Sequence, residues 1–227
     1  MFSALPLLPL ATLFWYLQRF SRSDIGLRFG AARDYAWALA YLLTVLGAMA
    51  MIAWLAGAVN TGAADWHKTL ANVGLISSTG IVMALLTEEG FFRGWLWASL
   101  KRAGRSDIYV LMWTSLALTI WHISAISLDT GFDIPAAEIP VYLVNATLLG
   151  MVWGILRTVS GSVIVPAVCH AVWNGLDYLL YGVGEKIGAL GIQHTHLFGP
   201  EVGLVGIGLN ALFVLIIWRF YVRSSGQ

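Results

Sequence analysis

The chain reads as an all-α membrane protein, a polytopic helical bundle of about seven transmembrane helices. Two observations predict that class. Of 227 residues, 59% are hydrophobic and 11% charged, with a mean hydropathy of +0.77, where soluble domains carry about 25% charged residues. Apolar windows of roughly 18–25 residues, the length that crosses a hydrocarbon core, then recur along the chain. They fall near 2–18, 35–59, 70–100, 108–128, 137–157, 162–181 and 201–222. This length suits one membrane domain over 1–227 and no separate soluble domain.

Charge justifies the segments in turn. Span one has its basic residues after the apolar run rather than before it, so it is expected to be a retained first span and not a cleaved signal. Arg19, Arg22, Arg28 and Arg33 separate it from span two. Asp65 and Lys68 stand between spans two and three, and Lys101, Arg102 and Arg105 follow span three. Asp129 and Asp133 separate spans four and five, Arg157 follows span five, Glu185 and Lys186 precede span seven, and Arg219 with Arg223 end it. Ten basic residues on one set of loops against two on the other is a positive-inside pattern. It places the N-terminus outside and the C-terminus in the cytoplasm, in a cell (inner) membrane. The alternation also supports the span count, since a missed helix would scramble it.

Other features exclude functions. A net charge of +1 with scattered basic residues gives no nucleic-acid surface. The single cysteine, Cys169, excludes an internal disulfide and a cysteine metal cluster, and its apolar neighbours make it a buried, inert thiol.

Few strongly polar groups remain inside the spans. Glu88, Glu89 and Arg93 lie in span three, His122 in span four, Asn145 in span five, His170, Asn174 and Asp177 in span six, and Asn210 in span seven. Charges at membrane depth cost several kcal/mol and usually mark function. At 1.5 Å per residue, the two glutamates lie ~18–20 Å from the cytoplasmic end of their helix, His122 ~22 Å and His170 ~14 Å. Three helices thus bring glutamates and histidines to one level.

Helical phase separates the adjacent acids. Glu89 and Arg93 are spaced i, i+4 for an ion pair, while Glu88 is rotated by about 100° and free to meet His122. His170 and Asn174 share a face, with Asp177 continuing the stripe. A buried carboxylate beside a histidine suits acid–base chemistry on water, and a His/Asn pair suits a developing oxyanion. In isolation, Glu89–Arg93 could only lock packing and His122 could be a satisfied packing residue; the shared depth favours a site. Asn145 and Asn210 read as helix glue, Asp177 as a residue that orients His170 or Asn174 or, slightly favoured, lies near the outer interface, and His67, His194 and His196 as loop histidines. The tryptophans read mostly as belt and packing residues.

These residues resemble a known family. Glu88-Glu89-Gly-Phe-Phe-Arg93 is similar to the Glu-Glu-x-x-x-Arg signature of the CAAX protease and bacteriocin-processing (CPBP, or Abi) intramembrane endopeptidases. His170-Ala-Val-Trp-Asn174, after Gly161-Ser162 and Pro166, resembles that family's His-x-x-x-Asn motif. His122 stands where the family has Phe-x-x-x-His, with Leu118 in place of the phenylalanine. The likeness covers a core of about 75–181 and implies proteolysis of membrane-associated or lipidated peptides. By that resemblance Glu88 with His122 activates water, His170 with Asn174 stabilises the oxyanion, and Glu89 with Arg93 holds the site in shape. The family is described both as glutamate-type and as metalloproteases. The metal-independent mechanism is favoured, with no required cofactor; two glutamates and two histidines would allow zinc, but His-Glu-x-x-His is absent. Two other classes compete, a proton-coupled transporter and a non-catalytic immunity or scaffold protein. The first lacks a visible inverted repeat; the second sits poorly with a complete acid, base and amide set. The natural substrate and the oligomeric state are left open.

Overall fold

Helix caps and small residues decide how this apolar chain packs. The computed structural model describes residues 4–127, 134–184 and 186–225, with backbone alone at 125 and 220–225. Asp129, Asp133, Glu185 and the Arg223 side chain lie outside the described residues. In chain order come α1 (Leu7–Gln18), α2 (Ala32–Leu55), α3 (Trp66–Leu86), a π-helix (Glu89–Leu96) and α4 (Trp97–Arg102). Then follow α5 (Asp107–Ser127), α6 (Ile139–Ser160), α7 (Ile164–Leu176) and a second π-helix (Asp177–Tyr181). A two-residue antiparallel hairpin, β1 (Gly182–Val183) with β2 (Lys186–Ile187), leads to α8 (Thr195–Phe198) and α9 (Leu204–Ser225).

Among the described residues, three stretches are both long and apolar enough to cross a membrane: α2, the continuous Trp66–Arg102 stretch, and α6. The chain is therefore a helical integral membrane protein. Of the other apolar helices, α1 has 12 residues, α5 has 21, α7 has 13 before its winding changes, and α9 has 22. Span seven was expected from 201, but α9 begins at Leu204, which leaves Glu201 in a loop outside the helix.

Local chemistry sets several ends. Asp65 caps α3 by accepting from the Lys68 amide at 3.0 Å. α6 starts with Pro140 in its first turn and stops at Gly161, whose φ of +64° suits a residue without Cβ. Arg28 closes that end: its Nε donates to the Gly161 carbonyl at 3.0 Å and its Nη2 to Ser160 at 3.2 Å. Arg157, expected as a loop charge, is instead buried. Its Nε donates to the Arg93 carbonyl at 3.0 Å and its Nη2 to Asp24 at 3.3 Å. That guanidinium ties the α1–α2 loop to the helical stretch bearing the glutamates.

α2 supplies the spine of the core. Ala38, Leu42, Val45 and Met49 recur at helical spacing on one fully buried stripe, while Trp37, Leu43 and Trp54 face outward. The stripe packs on Trp153 of α6 and on Val165, Cys169 and Trp173 of α7. In a bilayer the lipid is as apolar as these side chains, so close packing and polar contacts hold the helices together. Small residues permit that closeness between α3 and α7. A Cβ on Gly80 would stand 3.2 Å from the Ala171 Cβ, and one on Gly175 would be 2.3 Å from the Ser77 hydroxyl. The backbones are thereby close enough for side chains on α3 and α7 to meet.

Candidate active site

The glutamate pair sits where α3 changes its winding. The Thr87 hydroxyl donates to the Met83 carbonyl at 2.7 Å, and the Thr87 backbone leaves helical geometry at φ −114°, ψ −95°. Side-chain bonds of this type compete with the helix ladder and bend it. Gly90 tolerates the tight passage, since a Cβ there would approach the Leu85 carbonyl to 2.4 Å. The π-helix then runs from Glu89 to Leu96. Such insertions are rare and gather at functional sites. A uniform α-helix over 70–100 was expected; the widened winding re-aims both acids.

The two glutamates and His170 form one cluster. Glu89 is fully buried, and its Oε1 accepts from His170 Nδ1 at 3.0 Å and from Arg93 Nη1 at 3.4 Å. Arg93, also fully buried, makes its shorter bond elsewhere: Nη2 donates to the Gly150 carbonyl of α6 at 2.8 Å. The expected Glu89–Arg93 pair is thus present, and it is also a bridge to His170 and α6. Glu88 is mostly buried and reaches the other face of the same imidazole, with Oε2 3.5 Å from His170 Nε2. Trp153 stacks on His170, centroids 4.0 Å apart and planes 11° apart, and fixes the ring between the two acids.

His122 completes the wall from α5. Its Nδ1 lies 2.8 Å from the Leu118 carbonyl, and a carbonyl only accepts, so the proton on Nδ1 is committed there. Nε2 is the nitrogen left to exchange a proton. Glu88, His122, His170 and Asn174 line one cavity of about 140 Å³. Its greasy wall includes Gly80, Ala84 and Ala171, along the α3–α7 contact. The structure therefore brings four of the six expected site residues to one space, with Glu89 and Arg93 immediately behind.

Tyr142, Trp153, Tyr178 and Glu201 also line this cavity and were not foreseen. Glu201 stands between Gly199-Pro200 and Gly203, a turn signature beside an acid, which is a signal the sequence does carry. Burial pushes its carboxyl above the ordinary carboxylate range; bonds from Trp173 and Tyr178 and the nearby His170 oppose this, while Glu88 adds to it. Asp177 is buried, and among the described residues neither of its carboxylate oxygens has a hydrogen-bond partner. The change to π winding after Leu176 turns it inward.

Asn145 and Asn210 act as the expected glue, Asn210 Nδ2 donating to Asn145 Oδ1 at 3.1 Å. Cys169 is buried against α2, as expected. Zinc requires three or four ligand atoms at about 2.0–2.3 Å. Among the described residues no three His, Cys, Asp or Glu side chains converge as such a set.

Fold and site together define a helical integral membrane protein with a buried carboxylate–imidazole centre open to a cavity. Residues 70–176, from α3 through α7, match a family model described as type II CAAX prenyl endopeptidase Rce1-like. This segment, a little under half of the chain, is similar to the CAAX protease (CPBP) family. No curated protein and no solved structure matches it.

Proposed function

We propose that this protein is an intramembrane endopeptidase that hydrolyses peptide bonds of membrane-associated or lipidated substrates. The carrying observation is that Glu88, His122, His170 and Asn174, from three different helices, line one cavity. The family match supports a peptidase, and the prenylated peptides in that family's description make lipid-bearing peptides the substrate class to test.

In this reading a water molecule in the cavity is polarised by Glu88 and the free Nε2 of His122. One proton passes to this pair as the oxygen bonds to the carbonyl carbon. His170, held between the two glutamates as a doubly protonated imidazolium, donates Nδ1–H to Glu89 and turns Nε2–H to the developing oxyanion together with the Asn174 amide. Glu89 and Arg93 keep the imidazole oriented. Preorganised donors of this type are worth about 10²–10³ in rate. The steps as written use no metal. The remaining apolar helices would complete a seven-span bundle with its N-terminus outside and the site reached from the cytoplasmic side.

The test is cleavage of a fluorogenic hydrophobic or farnesylated peptide by purified protein. Wild type is expected to cleave it in the presence of chelator, and Glu88→Ala to lose at least about 10²-fold in kcat. Equal rates for wild type and Glu88→Ala would refute the base assignment, and loss on chelation would refute the metal-free mechanism.

A further inference from the structure

Water attack needs a second proton operation, because an amine leaves poorly as an anion. The cavity that Glu88 lines holds a second group of the right type. Glu201 comes from the loop between α8 and α9, beyond the family-matched segment, and its side chain is 5% exposed. It lines the cavity with Glu88, His122, His170 and Asn174.

Three other helices hold this loop in place. Asn145 Nδ2 of α6 donates to the Glu201 carbonyl at 3.0 Å and to Gly203 at 3.4 Å. Asn210 of α9 braces Asn145 at 3.1 Å, and the Tyr41 hydroxyl of α2 donates to Asn210 Oδ1 at 2.8 Å. The carboxyl itself accepts from Trp173 Nε1 at 3.0 Å and from the Tyr178 hydroxyl. A glutamine oxygen could accept the same two bonds without bringing a titratable group to the cavity. The groups acting on it are Glu88 from the α3–π junction, His170 of α7, and Tyr142 of α6 with Tyr178 and Asp177 of the second π-helix. Carboxyls sharing such a space do not all ionise at moderate cost; one retains a proton.

We propose that Glu201 is the general acid of the reaction, protonating the nitrogen of the scissile amide across the cavity from Glu88. This rests on the hydrolase reading above. The water oxygen bonds to the carbonyl carbon and gives one proton to the Glu88–His122 pair. As the C–N bond breaks, Glu201 gives its proton to nitrogen, releasing a neutral amine and a carboxylic acid. The proton held by Glu88–His122 then returns through water to Glu201, and no other reagent is consumed. Burial, which keeps the Glu201 carboxyl protonated above the ordinary carboxylate range, supplies the acid form at neutral pH.

Leaving-group dependence tests the proposal. Wild type, Glu201→Gln, Glu201→Asp and Glu88→Gln are compared on a fluorogenic peptide and on the matching ester with a nitrophenolate leaving group, which departs without a proton. Glu201→Gln is expected to lose about 10²-fold in kcat on the peptide with KM little changed, and to keep near wild-type rates on the ester. It should also lose the alkaline limb of the peptide pH profile, and Glu201→Asp should recover part of the rate. Glu88→Gln is expected to lose both substrates. Peptide cleavage by Glu201→Gln at the wild-type rate, or equal losses on peptide and ester, overturns the proposal. Absence of cleavage of either substrate by wild type overturns the hydrolase reading and this one with it, whereas wild-type rates for Glu88→Gln on both overturn the Glu88 base assignment on which the proton cycle rests.

Discussion

Replacing Arg93 with methionine should destabilise the protein through the glutamate it leaves behind. The guanidinium is fully buried and bonds the Gly150 carbonyl at 2.8 Å and Glu89 Oε1 at 3.4 Å. Methionine fills much of the stem volume, so the cavity term is small. What remains is a fully buried carboxylate whose one strong partner is His170 Nδ1, 3.0 Å away, and a Gly150 carbonyl without its donor. Breaking a buried pair in this way costs about 3–5 kcal/mol. The long Glu89 contact and the retained His170 bond place Arg93→Met at the lower end, about 3 kcal/mol. For a chain of this size that corresponds to a fall in Tm of about 6–12 °C. Thermal unfolding in detergent micelles, followed by tryptophan fluorescence, measures it. The double variant Arg93→Met with Glu89→Gln removes the orphaned charge and should recover at least half of the loss. A fall below about 2 °C, or a double variant no better than the single one, would refute the buried-charge argument.

The α3–α7 contact gives a second expectation. Gly175→Val places side-chain atoms against Ser77 Oγ and the Val73 carbonyl, 2.3 and 3.3 Å from the position of its Cβ, so the helices must separate. Peptide cleavage should fall at least about 10-fold even where the variant still folds, since small displacements are costly in rate. Activity within twofold of wild type would show that helix spacing does not set the site. A third expectation concerns pH. Burial raises the folded Glu201 carboxyl above its unfolded value, so its contribution to stability is whole below the unfolded value of about 4.3 and is lost as pH climbs through the folded one. Glu201→Gln does not titrate there, so its Tm should gain on the wild type as pH rises from about 5 to about 8. A difference that stays constant over that range would refute the assignment.

Much of this site was legible from residue type alone. Glu88, His122, His170 and Asn174 stand out because ionisable and amide groups are rare in apolar helices, and the structure sets them around one cavity. Asn145 and Asn210 were legible as glue for the same reason. The change to π winding, at Glu89 and again at Asp177, was not, because a one-residue change in winding leaves no trace in a hydrophobic pattern averaged over twenty residues. Through that change Glu89 became a His170 partner as well as an Arg93 partner, and Asp177 turned inward. Arg157 followed the charge rule for loops, yet its guanidinium found backbone carbonyls to cap and became buried.

Composition and the spacing of polar residues determined the membrane class, the helical bundle and the acid, imidazole and amide set. These are properties of solvent preference and helical period, which local sequence encodes. The tertiary structure alone decided which carboxylate faces which imidazole nitrogen, that Arg93 is anchored on Gly150, and that Glu201 enters the cavity. Those outcomes depend on distances between residues far apart in the chain. The close α3–α7 approach at Gly80 and Gly175 and the Asn145–Asn210–Tyr41 brace set those distances only once the helices have packed.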